Sequence, residues 1–309
     1  MGISVLIVGL GNIGVGYDLN YTGDSAMTHL GACLKHPDVS SIYGIDPNDA
    51  SRRIFMEAGG SEAFANFADL NKHGISADLC IISTPPGIRF EIVRQCAEFS
   101  PQIILLEKPI AETSGEARRI QSFCAEKKIL LFINYIRLFE PALRSIKGKI
   151  RNGEHGKTVC GTCVFSGSVL NSASHYISLT LDWFGEPEEV QSICRIPGRE
   201  HFILNYREFD FSFQAVQSDY AVGEMDIYFQ KRKIEMNTNC FRVLEAGMEK
   251  SRIFPNCTML EEARLIEPRP DILNYQYKVL DMVLTSRADA SSENVENAVK
   301  TLEICAKVT

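Results

Sequence analysis

Two short stretches collect residue types that can do chemistry. In VGLGNIG, the residues Gly9, Leu10, Gly11, Asn12, Ile13 and Gly14 form G-x-G-x-x-G directly after an apolar run, ISVLIVG. Gly9 allows a tight turn, Gly11 lets the backbone approach a pyrophosphate, and Gly14 permits close helix–strand packing. A helix starting there would offer N–H groups and a positive dipole to phosphates. In IILLEKPIAE, four branched aliphatic residues run into Glu107, Lys108 and Pro109. An amine at a buried strand end can meet a substrate and a cofactor together, and desolvation would lower its pKa toward a working range. Pro109 fixes the turn, with a cis bond as one way of doing so.

A carboxylate completes the dinucleotide pattern. Asp46 ends the next apolar run, SIYGID, where it can accept hydrogen bonds from ribose hydroxyls and would repel a 2′-phosphate. This favours NAD(H) over NADP(H), with Arg52 and Arg53 as the nearby cations that would argue the other way. Asp46 lies 32 residues after Gly14, where about 20 is usual. The surplus, VGYDLNYTGDSAMTHLG, is either an enlarged loop before the helix or a helix that starts late, near Asp24 or Ser25. It is either a surface excursion or a flap over the ligands.

The elements that must position these groups come in two textures. Up to about residue 136, the apolar runs 3–9, 41–46, 77–84, 102–107 and 129–135 are continuous, as expected of parallel strands covered on both faces. Between them FEIVRQCAEF and SGEARRIQSFCAEKK carry helical spacing. The pattern predicts a doubly wound α/β domain over residues 1–137. Ligands bind such sheets beyond the carboxyl ends of the strands, which places Ser83, Thr84 and Pro85 of STPPG beside the glycine turn and Lys108. Residues 138–309 begin with a helix near Pro141. Alternating runs follow, FDFSFQAV and MDIYF, which predict an antiparallel sheet with one buried face. An amphipathic terminal helix carries Val295, Ala298, Val299, Leu302 and Cys305 on one stripe.

These motifs carry a resemblance. GLGNIG, ISTPP, EKPIAE, NYIRLFEPALRSIKGKIRNGEHG and SHYISLTLDWFGEPEEV make the chain similar, over nearly its whole length, to the glucose–fructose oxidoreductase / inositol dehydrogenase / MocA family of NAD(P)-dependent sugar oxidoreductases. The resemblance implies a Rossmann domain followed by an α/β domain with an open-faced antiparallel sheet. It places Lys108 near the nicotinamide and the reacting hydroxyl, and Tyr135 and Arg137 on the family's Y-x-R. The family's D-x-G-x-H-x-x-D falls on Asn171, Ala173, His175 and Ser178, so the histidine is kept and both acids are lost. Arg89 stands where the family often has a histidine, and it or Arg137 could pair with an anionic group of a substrate. An Asn cannot act as a base at neutral pH.

Bulk properties narrow the classes. The net charge is −7 with no basic blocks beyond QKRK, a charged hairpin turn, which argues against nucleic acid and anionic membrane as partners. No run reaches the roughly 18–20 apolar residues of a membrane span. The N-terminus reads as a strand, not a signal peptide, and Leu6 breaks the myristoylation pattern that Met1 and Gly2 begin. Ten scattered cysteines suit reduced, buried thiols and a cytoplasmic location, and the single C-x-x-C, at 160–163, lies in a strand. His29 and His155 read as structural, and no His/Cys/acid spacing suggests a metal. The expectation is an NAD(H)-dependent oxidoreductase of a secondary alcohol or ketone on a sugar or nucleotide sugar. Lys108 and His175 would be catalytic, and Arg89, Tyr135, Arg137 and Asn171 would bind substrate. An exposed apolar sheet face would make it a homodimer or homotetramer. The alternative is a regulatory or sensor protein that keeps the dinucleotide fold without turnover.

Overall fold

A computed structural model describes residues 2–21, 23–254, 256–286 and 288–309; Met1, and Thr22 of the excursion, lie outside them. The chain divides into two compact units. The first runs through Phe139 and takes up Ile272–Val299 again; the second holds Glu140–Asp271 and Lys300–Thr309. The first boundary thus falls close to residue 137, but the chain returns to the first unit near its end. The returning helix Tyr275–Thr285 buries Gln276, Val279, Leu280 and Val283.

In the first unit, β1 (Ile3–Val8), α1 (His29–Lys35), β2 (Val39–Ile45), α2 (Asp49–Glu57), β3 (Glu62–Phe64), α3 (Phe67–Asn71), β4 (Leu79–Ile82), α4 (Arg89–Ala97), β5 (Ile103–Glu107), α5 (Ser114–Glu126) and β6 (Leu130–Asn134) alternate. The six strands pair in the order β3-β2-β1-β4-β5-β6. Every pairing is parallel. β4 and the aliphatic part of β5 are buried throughout, which explains their unbroken apolar runs. Burying each such side chain contributes about 2 kcal/mol. The helices form for local reasons. Thr113 caps α5 by accepting from the Glu116 N–H, and the helix buries Ala117, Ile120 and Cys124 at helical spacing. The strand order reverses between β1 and β4, so the crevice for a ligand opens at the carboxyl ends of these two strands.

The second unit opens with α6 (Pro141–Arg151), then β7 (Thr158–Phe165), α7 (Ser174–Phe184), β8 (Glu189–Cys194), β9 (His201–Asn205), β10 (Asp210–Ala215), β11 (Gly223–Phe229), β12 (Lys233–Asn237) and β13 (Arg242–Ala246). With Arg264–Leu265 at its edge, the sheet has the order Arg264–Leu265, β13, β12, β11, β7, β10, β9, β8. It is antiparallel except for β7 and β10, which run parallel. The parallel pair is the geometric result of a crossover: the chain leaves β7, passes through α7, β8 and β9, and comes back beside β7. Phe211, Phe213, Met225, Ile227, Ile234 and Met236 fill the buried face, and Phe184 of α7 lies over Phe209 and Phe211. The other face is mixed, with Thr162, Ser212, Gln214, Asp226, Lys233 and Glu235 beside Val164, Ile203 and Tyr228, and Lys233 bridges Asp226 and Glu235 at 3.0 and 2.9 Å.

The turn QKRK joins β11 to β12. The terminal helix Ala288–Val308 buries the stripe from Val295 to Cys305. All ten cysteines are unbridged, seven of them buried. Among the described residues no helix is long and apolar enough to cross a membrane.

Candidate functional site

The glycine turn is built by close approach. Gly9 has φ +95°, and a Cβ there would lie 3.0 Å from the Ser83 carbonyl. Ser83 ends β4 and donates its hydroxyl to the Gly9 carbonyl at 2.6 Å. A Cβ on Gly14 would meet the Gly9 carbonyl oxygen at 2.5 Å. Gly11 differs from both, because nothing lies within 4 Å of where its Cβ would be. Leu10 donates its N–H to one Asp46 carboxylate oxygen and Asn48 donates to the other, both at 2.8 Å. The Thr84 hydroxyl is buried with no hydrogen-bond partner among the described residues. An open glycine backbone, an acid at the end of β2 and an orphaned hydroxyl at the end of β4 fit a dinucleotide. Arg52 donates to the carbonyls of Asp46 and Pro47 and pairs with Asp49, and Arg53 also pairs with Asp49. Both guanidiniums are thus neutralised by Asp49, and Arg52 also holds the backbone at the end of β2.

The helix after this turn starts late, behind an enlarged loop. Val15 and Tyr17 donate to the carbonyls of Gly11 and Asn12, and a short tight turn at Gly16–Asp18 follows. The chain then leaves, and α1 begins only at His29. Yet His29 and Leu30 donate their N–H groups to the carbonyls of Ile13 and Gly14, at 3.0 Å each. The excursion is therefore spliced into a helix whose first turn and remainder still bond to each other. Its hub is Asp18, whose carboxylate accepts from Ser25, Met27 and Thr28. Burial raises the Asp18 pKa, but these hydrogen bonds outweigh it and leave the group more acidic than usual. Thr28, held in this way, caps α1 through the Gly31 N–H. The late start falls four residues beyond Ser25 because Ser25 and Thr28 both serve Asp18.

The turn after β5 is held from several sides. One Glu107 carboxylate oxygen accepts from Asn134 at 2.6 Å and contacts the His29 Nε2 at 3.0 Å. Asn134 also donates to Gln276 at 3.0 Å. Burial raises the Glu107 pKa, and the bonds from His29 and Asn134 with the nearby Arg89 charge turn the balance downward. Lys108 is half-buried, and its bond to Pro109 is cis. Arg89 is only 3% exposed. Its guanidinium donates to the carbonyls of Glu107, Pro109 and Thr84, the last at 2.9 Å. Burial lowers its pKa to about 10. The expected anion-pairing role does not suit this placement, since the guanidinium is spent on the backbone either side of Lys108. Local spacing marks none of Arg89, His29, Asn134 or Gln276 as neighbours of Glu107; only the strand-end position of Asn134 hints at it.

Tyr135 is 1% and Arg137 7% exposed, so both enter the first unit as buried side chains after β6. Within this unit the structure brings together Gly9–Gly14, Asp46, Ser83–Pro85, Glu107 and Lys108 at the strand ends. Asn171 and His175 belong to the second unit, on one continuous helical run. Asn171 is exposed within Val169–Ala173, a wider helical turn, and His175 is half-buried in the first turn of α7. Ser168 accepts from the Asn171 N–H at 3.2 Å. Ser178 is fully buried and donates to the His175 carbonyl at 2.9 Å. Among the described residues no three His, Cys, Asp or Glu side chains gather as a metal site.

Comparison with known proteins agrees with this geometry. Residues 3–135 match the profile of GFO_IDH_MocA, an oxidoreductase family with an NAD-binding Rossmann fold. The rhizopine catabolism protein MocA of Rhizobium meliloti is 28% identical over 141 residues, 46% of this chain and 44% of that protein. The chain thus spans less than half the length of the curated relatives it matches. A dehydrogenase from Chromobacterium violaceum superposes with a TM-score of 0.79 at 14% identity, over 99% of this chain and 94% of that one. The WlbA dehydrogenase of Bordetella pertussis, solved with NADH and UDP-GlcNAcA, gives 0.75 at 18% identity, over 99% and 94%. Identities this low establish the shared fold.

Proposed function

We propose, from the match of residues 3–135 to the NAD-binding Rossmann profile of the Gfo/Idh/MocA oxidoreductase family, that this chain oxidises or reduces a CH–OH/C=O group on a sugar or nucleotide sugar. The observation that carries the reading is the half-buried Lys108 at the carboxyl end of β5, on the same sheet edge as the open Gly11 backbone. Gly9–Gly14 would bind the pyrophosphate and Asp46 the adenosine ribose, with Ser83, Thr84 and Pro85 lining the same edge. The Asp46 carboxylate, with Arg52 and Arg53 both paired to Asp49, supports NAD(H) over NADP(H). When bound, the nicotinamide supplies the site that accepts or gives hydride. The Lys108 ammonium would hold the reacting oxygen and offset charge developing on it. His175 would exchange the hydroxyl proton, and Tyr135, Arg137 and Asn171 would orient the substrate. Arg89 would act on the protein, by holding the Lys108 turn.

The WlbA likeness at the level of fold supports a nucleotide-sugar panel as the first to assay. Lys108→Ala should bind NADH as the wild type does, read by fluorescence titration, while turnover falls by about a thousandfold. Turnover that survives this substitution would remove Lys108 from the reaction. A second reading, a dinucleotide-dependent sensor, is favoured by the burial of Ser178, which with Asn171 falls, on the resemblance, where acids would stand. Tight NADH binding with no turnover on any sugar would put that reading first.

A further inference from the structure

His29 has no place in the dinucleotide pattern, yet it is 2% exposed and reaches the residue next to Lys108. We propose that His29 is a positioning residue for the Lys108 amine, and that the excursion 15–28 serves to present it. This rests on the reading of Lys108 above.

The argument runs through named contacts. Asp18 gathers Ser25, Met27 and Thr28, which fixes where the excursion ends. The His29 N–H is tied to the Ile13 carbonyl of the glycine turn, so its backbone cannot drift. The ring then has one polar destination at Nε2, the Glu107 carboxylate oxygen at 3.0 Å. Asn134 is the second donor to that oxygen, and Gln276 orients Asn134 in turn. Arg89 fixes the backbone carbonyls of Glu107 and Pro109. Lys108 lies between these two anchored residues, so its stem direction is set by neighbours on both sides. Removing the His29 donor leaves the buried carboxylate with fewer bonds and gives the turn freedom that the amine inherits.

The test reads the lysine itself and needs no substrate. Trace acylation followed by peptide mass spectrometry gives the labelling rate of each amine in the intact protein. Lys72, an exposed lysine of the same unit, is the internal reference. In His29→Leu the Lys108 rate should rise by about threefold or more relative to Lys72, the scale on which one hydrogen bond shifts an equilibrium. His29→Gln, whose amide can reach the same oxygen, should restore the wild-type rate. His29→Asn is too short to reach it and should behave like leucine, which keeps the test open if the leucine variant does not fold. An unchanged Lys108 rate in both loss variants would overturn the proposal. So would a rise shared by every lysine of the unit, which signals general loosening. Loss of catalytic standing by Lys108 in the alanine test leaves this readout intact, so the two ideas fail separately.

Discussion

The turn after β5 and the start of α7 carry their candidate groups by different means. Around Lys108 the bonds are long-range: His29, Arg89 and Asn134 converge on residues 107 and 109 from three other elements. At Asn171 and His175 the backbone is fixed within its own helical run, with the Asn171 N–H donating to Ser168 and Ser178 donating to the His175 carbonyl. A group held by distant buried partners is coupled to the stability of the whole unit. A group on a helix turn depends mainly on that helix. Substitutions near Lys108 should therefore cost stability as well as activity, and replacement of the half-buried His175 itself should cost activity more than stability.

The largest test of this contrast is His175→Asn. Turnover should fall by about a hundredfold or more while the melting temperature barely moves. A large stability loss there would break the comparison. Arg89→Met should behave in the opposite way. It leaves three half-buried carbonyls without this donor, and thermal or urea unfolding should show a loss of about 3 kcal/mol.

Acid sharpens the same contrast. Glu107 is more acidic folded than unfolded, so its contribution to stability is present above the unfolded carboxylate pKa of about 4.3 and is lost as pH falls through the folded value. Glu107→Gln should flatten the acid limb of melting temperature against pH below about pH 4.3. A limb of unchanged steepness would mean that the His29 and Asn134 bonds do not favour the ionised form. Asp46→Ala should act on affinity instead, improving NADPH relative to NADH by about tenfold in a fluorescence titration, because a like charge is removed from the 2′ position.

What was legible in the sequence follows the same division. The buried strands around Val5, Ile81 and Leu105 announce themselves as unbroken aliphatic runs, because both faces of a parallel sheet are covered. β3 did not, since Glu62–Phe64 is three residues with one buried side chain. Alternation in β10 and β11 marked their buried face but not the parallel pairing of β10 with β7, because the period of two is the same in either direction. Within the site, glycine spacing and the EKP triplet were local signals. The role of Arg89 was not, because its carbonyl partners lie up to 20 residues away and leave no pattern of residue types. The splice of α1 was invisible too, since a backbone bond from His29 to Ile13 has no side-chain signature.

The smallest expected effect is the most discriminating for the second unit. The resemblance places Ser178 where an acid would stand, and its hydroxyl is a ready suspect for proton transfer. In the structure it is fully buried and donates to the carbonyl three residues back, a bond that competes with the helix and adds little to it. A proton relay needs a group that can give its proton to the substrate and be resupplied from water, and burial keeps water from this hydroxyl. Ser178→Ala should therefore leave turnover within about twofold and stability within about 1 kcal/mol. A hundredfold fall in turnover would instead mean that the Ser178 hydroxyl leaves its helix during the reaction, and the proton path of the second unit would pass through it as well as His175.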